Sequence, residues 1–172
     1  CIVAASVLAV VYSVTKEPIE KAKAEEKIKA VRAVISGYED EMTMKTDTIT
    51  DSNDNEFIIY TVIDNQDNVI GRSIASYSDE GYGGTVNIMI GMDRDYSVTG
   101  LYVLSHKETP GLGSKMDTDE FKSQFIGLSD TDTDISVRKD GGDIDAITSA
   151  TITSRAVCQA IETGLKIVRE YM

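Results

Sequence analysis

The chain has 172 residues, 41% of them hydrophobic and 27% charged, the balance of a globular protein rather than a disordered or fibrous one. Seventeen Lys and Arg against 29 Asp and Glu leave a net charge of −12, so a nucleic-acid phosphate backbone would be repelled rather than neutralised. Two cysteines and one histidine exclude a disulfide scaffold, a zinc finger and an iron–sulfur cluster carried by this chain alone.

The first 15 residues carry no charge, and Ile2, Val3 and Val7-Leu8-Ala9-Val10-Val11 are strongly apolar. A membrane span needs about 20 such residues. The chain begins on Cys, so the expectation is a transmembrane helix over 1–15 whose start lies upstream. A signal-peptide core, a lipid-anchored Cys1 and a buried core helix are the rival readings. Tyr12 fits an interfacial anchor. Residues 16–32 hold Lys16, Lys21, Lys23, Lys27, Lys29 and Arg32, a flank that looks cytoplasmic by its basic count.

Pro18 suits the first position of a helix, where its missing N–H is no loss. Ile19, Ala22, Ile28, Val31, Val34 and Ile35 follow helical spacing up to Gly37, which predicts a linker helix over 16–37 and a soluble domain over 38–172. Residues 40–55 are polar and acidic and read as loop or edge. Phe57–Ile63, a turn at 64–68 and Val69–Ser76 form a hairpin pattern. After Gly81-Tyr82-Gly83-Gly84, the stretch Thr85–Met92 puts Val86, Ile88, Ile90 and Met92 on one face. Asp93-Arg94-Asp95 turns into a strand over Tyr96–Ser105. A short helix is expected over 115–126, a strand over Ile135–Lys139, and a helix from Thr151 to Met172 with Val157, Ala160, Ile161, Leu165 and Val168 inward. Strands first and helices last predict an α+β fold with an antiparallel sheet.

Three loops have the residue types for chemistry. Thr148, Ser149, Thr151, Thr153 and Ser154 crowd the start of the last helix. Helix capping uses one or two such hydroxyls. A phosphate held by hydroxyls, free N–H groups and the helix dipole is the other reading. Spacing leaves both open. In His106-Lys107-Glu108-Thr109-Pro110-Gly111-Leu112-Gly113, proline stiffens a tight loop and the glycines permit a close approach to something flat; an ordinary connection is the alternative. Gly81–Gly84 reads in the same two ways.

Asp145-Ala146-Ile147-Thr148-Ser149-Ala150-Thr151 resembles the flavinylation motif of FMN-binding domains. Glu108-Thr109-Pro110-Gly111-Leu112-Gly113 and Gly81–Gly84 resemble two further loops of that family, in the same order. The family has Gly where this chain has Ser149. The resemblance implies FMN esterified through its phosphate to Thr151 by a separate flavin transferase, with Asp145 serving motif recognition. Thr148, Ser149 and Ala150 would follow the phosphate and ribityl chain. Glu108, Thr109, Leu112 and Gly113 would lie against the ring, with Tyr82, Gly83 and Gly84 nearby. Hydrogen bonds and charge at the ring tune such a cofactor, and Glu108 is expected to disfavour an anionic reduced flavin.

The resemblance also implies a function. The chain would carry electrons in a membrane complex that couples ferredoxin:NAD⁺ oxidoreduction to Na⁺ or H⁺ translocation. Its partners would be a second flavin subunit and iron–sulfur subunits, and its flavin domain would face the extracytoplasmic side, against the charge hint above. A flavin subunit of a sodium-pumping NADH:quinone reductase and a non-redox tethered binding module are the alternatives.

Other features read as structural. Asp130-Thr131-Asp132-Thr133-Asp134 starts like a calcium loop, but Ile135 stands at its glycine position and Gly141 at its glutamate position, so a solvated acidic turn is expected. His106 reads as a loop residue packing near the flavin, not a general base, and Cys158 as a buried structural thiol.

Overall fold

The computed structural model describes residues 2–51, 54–129 and 134–171, with side chains from Val11 onward. Helix α1 spans Ile2–Val34 without a break. Pro18 therefore lies inside a helix and does not begin one. Its ring removes one backbone bond, and the surface there is exposed, Val14 included. Among the described residues no helix is long and apolar enough to cross a membrane.

Five strands follow: β1 Thr43–Thr50, β2 Glu56–Ile63, β3 Val69–Ser78, β4 Val86–Met92 and β5 Val98–Ser105. They form one antiparallel sheet in the order β1-β2-β3-β4-β5, so every strand pairs with its neighbour in sequence. The acidic stretch after residue 40 supplies the mostly exposed edge strand β1. Three of the hairpin loops share one construction. Asp51, Asp64 and Asp93 each donate the backbone N–H to the carbonyl four residues on, and the residue three places on (Asp54, Asp67, Tyr96) has φ near +60°. The carboxylates of the three aspartates accept backbone N–H groups across the same turns. Three of the chain's 29 acidic residues thus serve as turn chemistry.

Helix α3, Thr151–Tyr171, covers one face of the sheet. Val157, Ala160, Ile161, Leu165 and Val168 are buried there, against Ile59, Ile74, Ile88, Ile90 and Met92. Ser76 Oγ donates to Ala160 O at 2.7 Å and fixes the helix along its axis. The last turns of α1 cover the other face, where Ala30, Val31, Val34 and Ile35 bury against Tyr60, Val62 and Met89. Gly91 and Gly100 are register partners on β4 and β5 and form the notch that receives Val34. A Cβ on Gly91 would sit 2.5 Å from the Val34 carbonyl carbon, and one on Gly100 would sit 2.7 Å from Val34 Cα. Thr99 Oγ1 donates to Val34 O at 2.6 Å and completes the contact.

Two expected elements differ. The helix over 115–126 is three short pieces: a 3₁₀ turn Gly113–Asp117, helix α2 Asp119–Lys122 and a 3₁₀ turn Ser123–Phe125. Thr118 is extended, at φ −75° and ψ 147°, and interrupts the run. Phe121 and Phe125 still meet edge to face at 5.4 Å. The strand over Ile135–Lys139 is absent. Val137 makes a single bridge to Ile144, and Arg138–Asp140 is a 3₁₀ turn. Ile135 and Val137 are buried as strand residues would be, but the chain reverses before a ladder can extend. Cys1 and the acidic run Asp130–Thr133 lie outside the described residues.

Candidate functional site

In a meander, the end of β3, the start of β4 and the end of β5 lie together, here through the pairs Ser78–Val86 and Asn87–Ser105. The loops 79–85 and 106–113 therefore leave the sheet at one end. The chain enters α3 beside them.

Glu108 joins these parts. Its side chain is buried, with 6% of the residue exposed. Gly83 donates its backbone N–H to Oε1 at 3.0 Å. Thr153, in the first turn of α3, donates its hydroxyl to Oε2 at 2.7 Å. His106 Nδ1 accepts the backbone N–H of Glu108 at 3.1 Å, so this histidine orders its own loop. The glycines here make room for protein. A Cβ on Gly113 would lie 2.5 Å from Glu108 Oε2 and 2.8 Å from Thr153 Oγ1, and one on Gly81 would lie 2.8 Å from Glu108 Oε1. Gly83 lies against the Lys107 carbonyl with no space for a side chain.

The run before α3 is held at two points. Gln124 accepts the Asp145 N–H at 2.8 Å and donates to the Asp145 carbonyl at 3.2 Å. Ser154 Oγ accepts the Ile147 N–H at 2.9 Å and donates to the Ala150 carbonyl at 3.0 Å. Asp145 itself points to solvent and pairs with Arg138 at 2.7 Å. Downstream, Arg155 meets Asp140 through two bonds of 2.6 and 2.7 Å. That guanidinium holds the Asp140 carboxyl below its ordinary value.

The position before Thr151 is Ala150, which has no side-chain oxygen to cap the helix. Among the described residues, the N–H groups of Thr151, Ile152 and Thr153 take part in no hydrogen bond, nor do the hydroxyls of Thr148, Ser149 and Thr151. The open donors and the free hydroxyls of Ser149 and Thr151 have the chemistry to hold an anion such as phosphate. Ser149 has φ +65°, the left-handed region. That is why a glycine suits this place in the motif.

A cleft of about 570 Å³ opens between these loops. Its walls are Tyr82, Glu108, Thr109, Leu112, Gly113, Ser149, Ala150, Thr151, Ile152 and Thr153. Eight of the expected site residues meet there. Gly83 and Gly84 do not line it, and Asp145 and Thr148 line a separate groove beside α2 with Lys115 and Gln124. Ile152 and Thr153 were not among the expected residues. Thr153 belongs to the hydroxyl run, but only the fold shows that it turns to Glu108 while Thr151 turns to the cleft. Exposed Tyr82 (73%), Leu112 (43%) and Ile152 (46%) give the cleft apolar surface at its mouth. Among the described residues, no cluster of His, Cys, Asp or Glu could hold a metal ion.

A meander sheet with α3 across it, and a cleft with apolar walls and an anion-binding head, define a nucleotide-type cofactor domain. The chain belongs to the FMN-binding domain family, whose match covers residues 81–166 and so contains all three cleft loops. One relative is the G subunit of the ion-translocating oxidoreductase complex of Methanosarcina acetivorans, 33% identical over 167 residues that span 96% of this chain and 87% of that protein. The protein of the same name from Aliivibrio fischeri is 43% identical over 101 residues, which is 55% of this chain and about half (48%) of that protein. Among solved structures, the crystal structure of Shewanella oneidensis NqrC superposes with a TM-score of 0.50 at 21% identity. It covers 76% of this chain and 64% of that one, and at this identity the likeness concerns the fold.

The residues present fit FMN. The open N–H groups and hydroxyls at Ser149–Thr151 suit a phosphate, and Tyr82, Leu112 and Ile152 suit a flat apolar ring.

Proposed function

We propose that this chain is the flavin-carrying electron-transfer subunit of an ion-translocating oxidoreductase complex, with FMN joined through its phosphate to Thr151. The observation that carries this reading is the Thr151 hydroxyl. It is free of protein partners, stands at the head of α3 and opens into the cleft. The relatives named as G subunits support the assignment to such a complex.

FMN, when bound, supplies the redox chemistry. The chain supplies the rest. Thr151 gives the attachment oxygen. The first N–H groups of α3 neutralise phosphate charge. Tyr82, Leu112 and Ile152 shield the ring from water, and Thr109 offers a hydroxyl at the cleft wall. Asp145, displayed on the far side of the motif, serves recognition by the flavin transferase.

In the finer reading, the complex couples ferredoxin:NAD⁺ oxidoreduction to Na⁺ or H⁺ movement, beside a second flavin subunit and iron–sulfur subunits. The uncharged run over residues 1–15 anchors it in the membrane. The flavin domain faces the extracytoplasmic side. Co-purification from the native membrane with subunits that bind iron–sulfur clusters supports this. Recovery with a quinone-reducing set overturns it.

Intact mass spectrometry after expression with a flavin transferase tests the attachment. The wild-type chain should gain one FMN less one water, and Thr151→Ala should gain nothing. A colourless chain of unmodified mass, with the transferase active on a control protein, would overturn the flavin reading.

A further inference from the structure

Glu108 is the only acidic residue among the buried side chains described, and each of its oxygens is engaged by a different segment of the chain. Burying a carboxylate is costly unless its oxygens are satisfied. Here the two satisfying donors come from positions 25 residues upstream and 45 residues downstream. Gly81 and Gly113 leave the space that the carboxylate fills. Each oxygen thus accepts one bond from the protein, and the two bonds tie together three segments that are distant in the chain.

We propose that Thr153 and Glu108 are a positioning pair, a buried latch that holds loops 81–84 and 106–113 to the first turn of α3 and so shapes the cleft before any flavin is present. Thr153 acts through Glu108 and not on the cofactor. The latch sets how far Tyr82 and Leu112, carried on the two loops, stand from Thr151. Its consequence for flavin rests on the reading of the cleft given above. The latch itself is a property of the flavin-free chain.

The test is amide hydrogen exchange on the full chain without flavin. Thr153→Val keeps the shape of the side chain and removes the donor. It should raise exchange in residues 81–84 and 107–113 by about tenfold or more, the size of a lost charge-assisted bond. Exchange in β2 and β3 should be unchanged, and Thr153→Ser should restore wild-type protection. Unchanged exchange in both loops of Thr153→Val, or a Thr153→Ser variant as loose as Thr153→Val, would overturn the latch. Should Thr153→Val lose protection throughout, the serine variant decides: wild-type exchange in both loops supports the latch, and raised exchange confined to them overturns it.

A second readout is the visible circular dichroism of flavin in the loaded chain. A looser cleft should reduce that signal in Thr153→Val and not in Thr153→Ser. A wild-type chain that takes up no FMN would overturn the flavin reading and leave the exchange result to decide the latch.

Discussion

The hydroxyl of Ser154 takes the backbone N–H of Ile147 at 2.9 Å, seven residues upstream, and so folds the motif loop back on the helix that follows it. The same oxygen donates to the Ala150 carbonyl at 3.0 Å. One buried side chain therefore sets the path of Thr148, Ser149 and Ala150, and with it the place of Thr151.

Ser154→Ala should strand the Ile147 N–H in a buried setting. The expected cost is about 1–3 kcal/mol. It should appear as a lower Tm, together with slower flavin attachment in a mass time course. A variant as stable as wild type would show that the loop is held some other way.

Ser149 sits at φ +65° with an exposed side chain. A β-branched residue tolerates that conformation poorly, and the left-handed region costs a residue with a Cβ roughly 1–2 kcal/mol. Serine already carries that cost, so Ser149→Val should destabilise further through its β-branch, by up to about 1 kcal/mol, while Ser149→Gly should be neutral or gain up to about 1 kcal/mol. Urea denaturation of the three proteins reads the order directly. Equal midpoints for valine and glycine would contradict the strained turn.

The α1–sheet contact depends on a missing side chain. Adding a methyl at Gly91 places it 2.5 Å from the Val34 carbonyl carbon and 2.8 Å from Val34 Cβ. Gly91→Ala should cost about 1–3 kcal/mol as overpacking. Residues 30–38 should also become sensitive to protease, because α1 has to lift from the sheet. Resistance to protease equal to wild type would mean that the helix end can shift without leaving.

Burial in the α3 core pushes the Cys158 thiol up to about 12. In the unfolded chain it titrates near its ordinary value of about 8.5. The folded state therefore binds the extra proton, and this contribution to stability is intact below that value. It is lost as the pH rises from about 8.5 toward 12. Cys158→Ala should flatten the fall of Tm above pH 9. In the wild type at pH 8, a thiol reagent should modify Cys158 only as fast as the chain opens. Rapid labelling of the native protein would place the thiol at the surface.

The elements that repeat along the chain were legible in its sequence. Alternation at Val86, Ile88, Ile90 and Met92 and helical spacing from Val157 to Val168 arise from the geometry of one strand and one helix, and both faces are buried as expected. The Asp turns were legible in principle: Asp51–Asn55, Asp64–Asn68 and Asp93–Ser97 use one local bonding pattern. Expectation failed at Pro18, at 115–126 and at 135–139. An exposed helix carries its proline, Thr118 breaks a run by its extended backbone, and Val137 turns into the core without a ladder partner beyond Ile144.

By itself, the sequence determined the α+β class, the inward faces and the three loops that carry cleft residues, since each depends on residues close together in the chain. Only the tertiary structure decided what those loops do to one another. Glu108 meets Gly83 and Thr153, Gly91 and Gly100 receive Val34, and Thr148 stands apart from Thr151. Those relationships join positions far apart in the chain. The glycines among them act through the Cβ they lack, and such an absence has meaning only once the neighbouring backbone is in place.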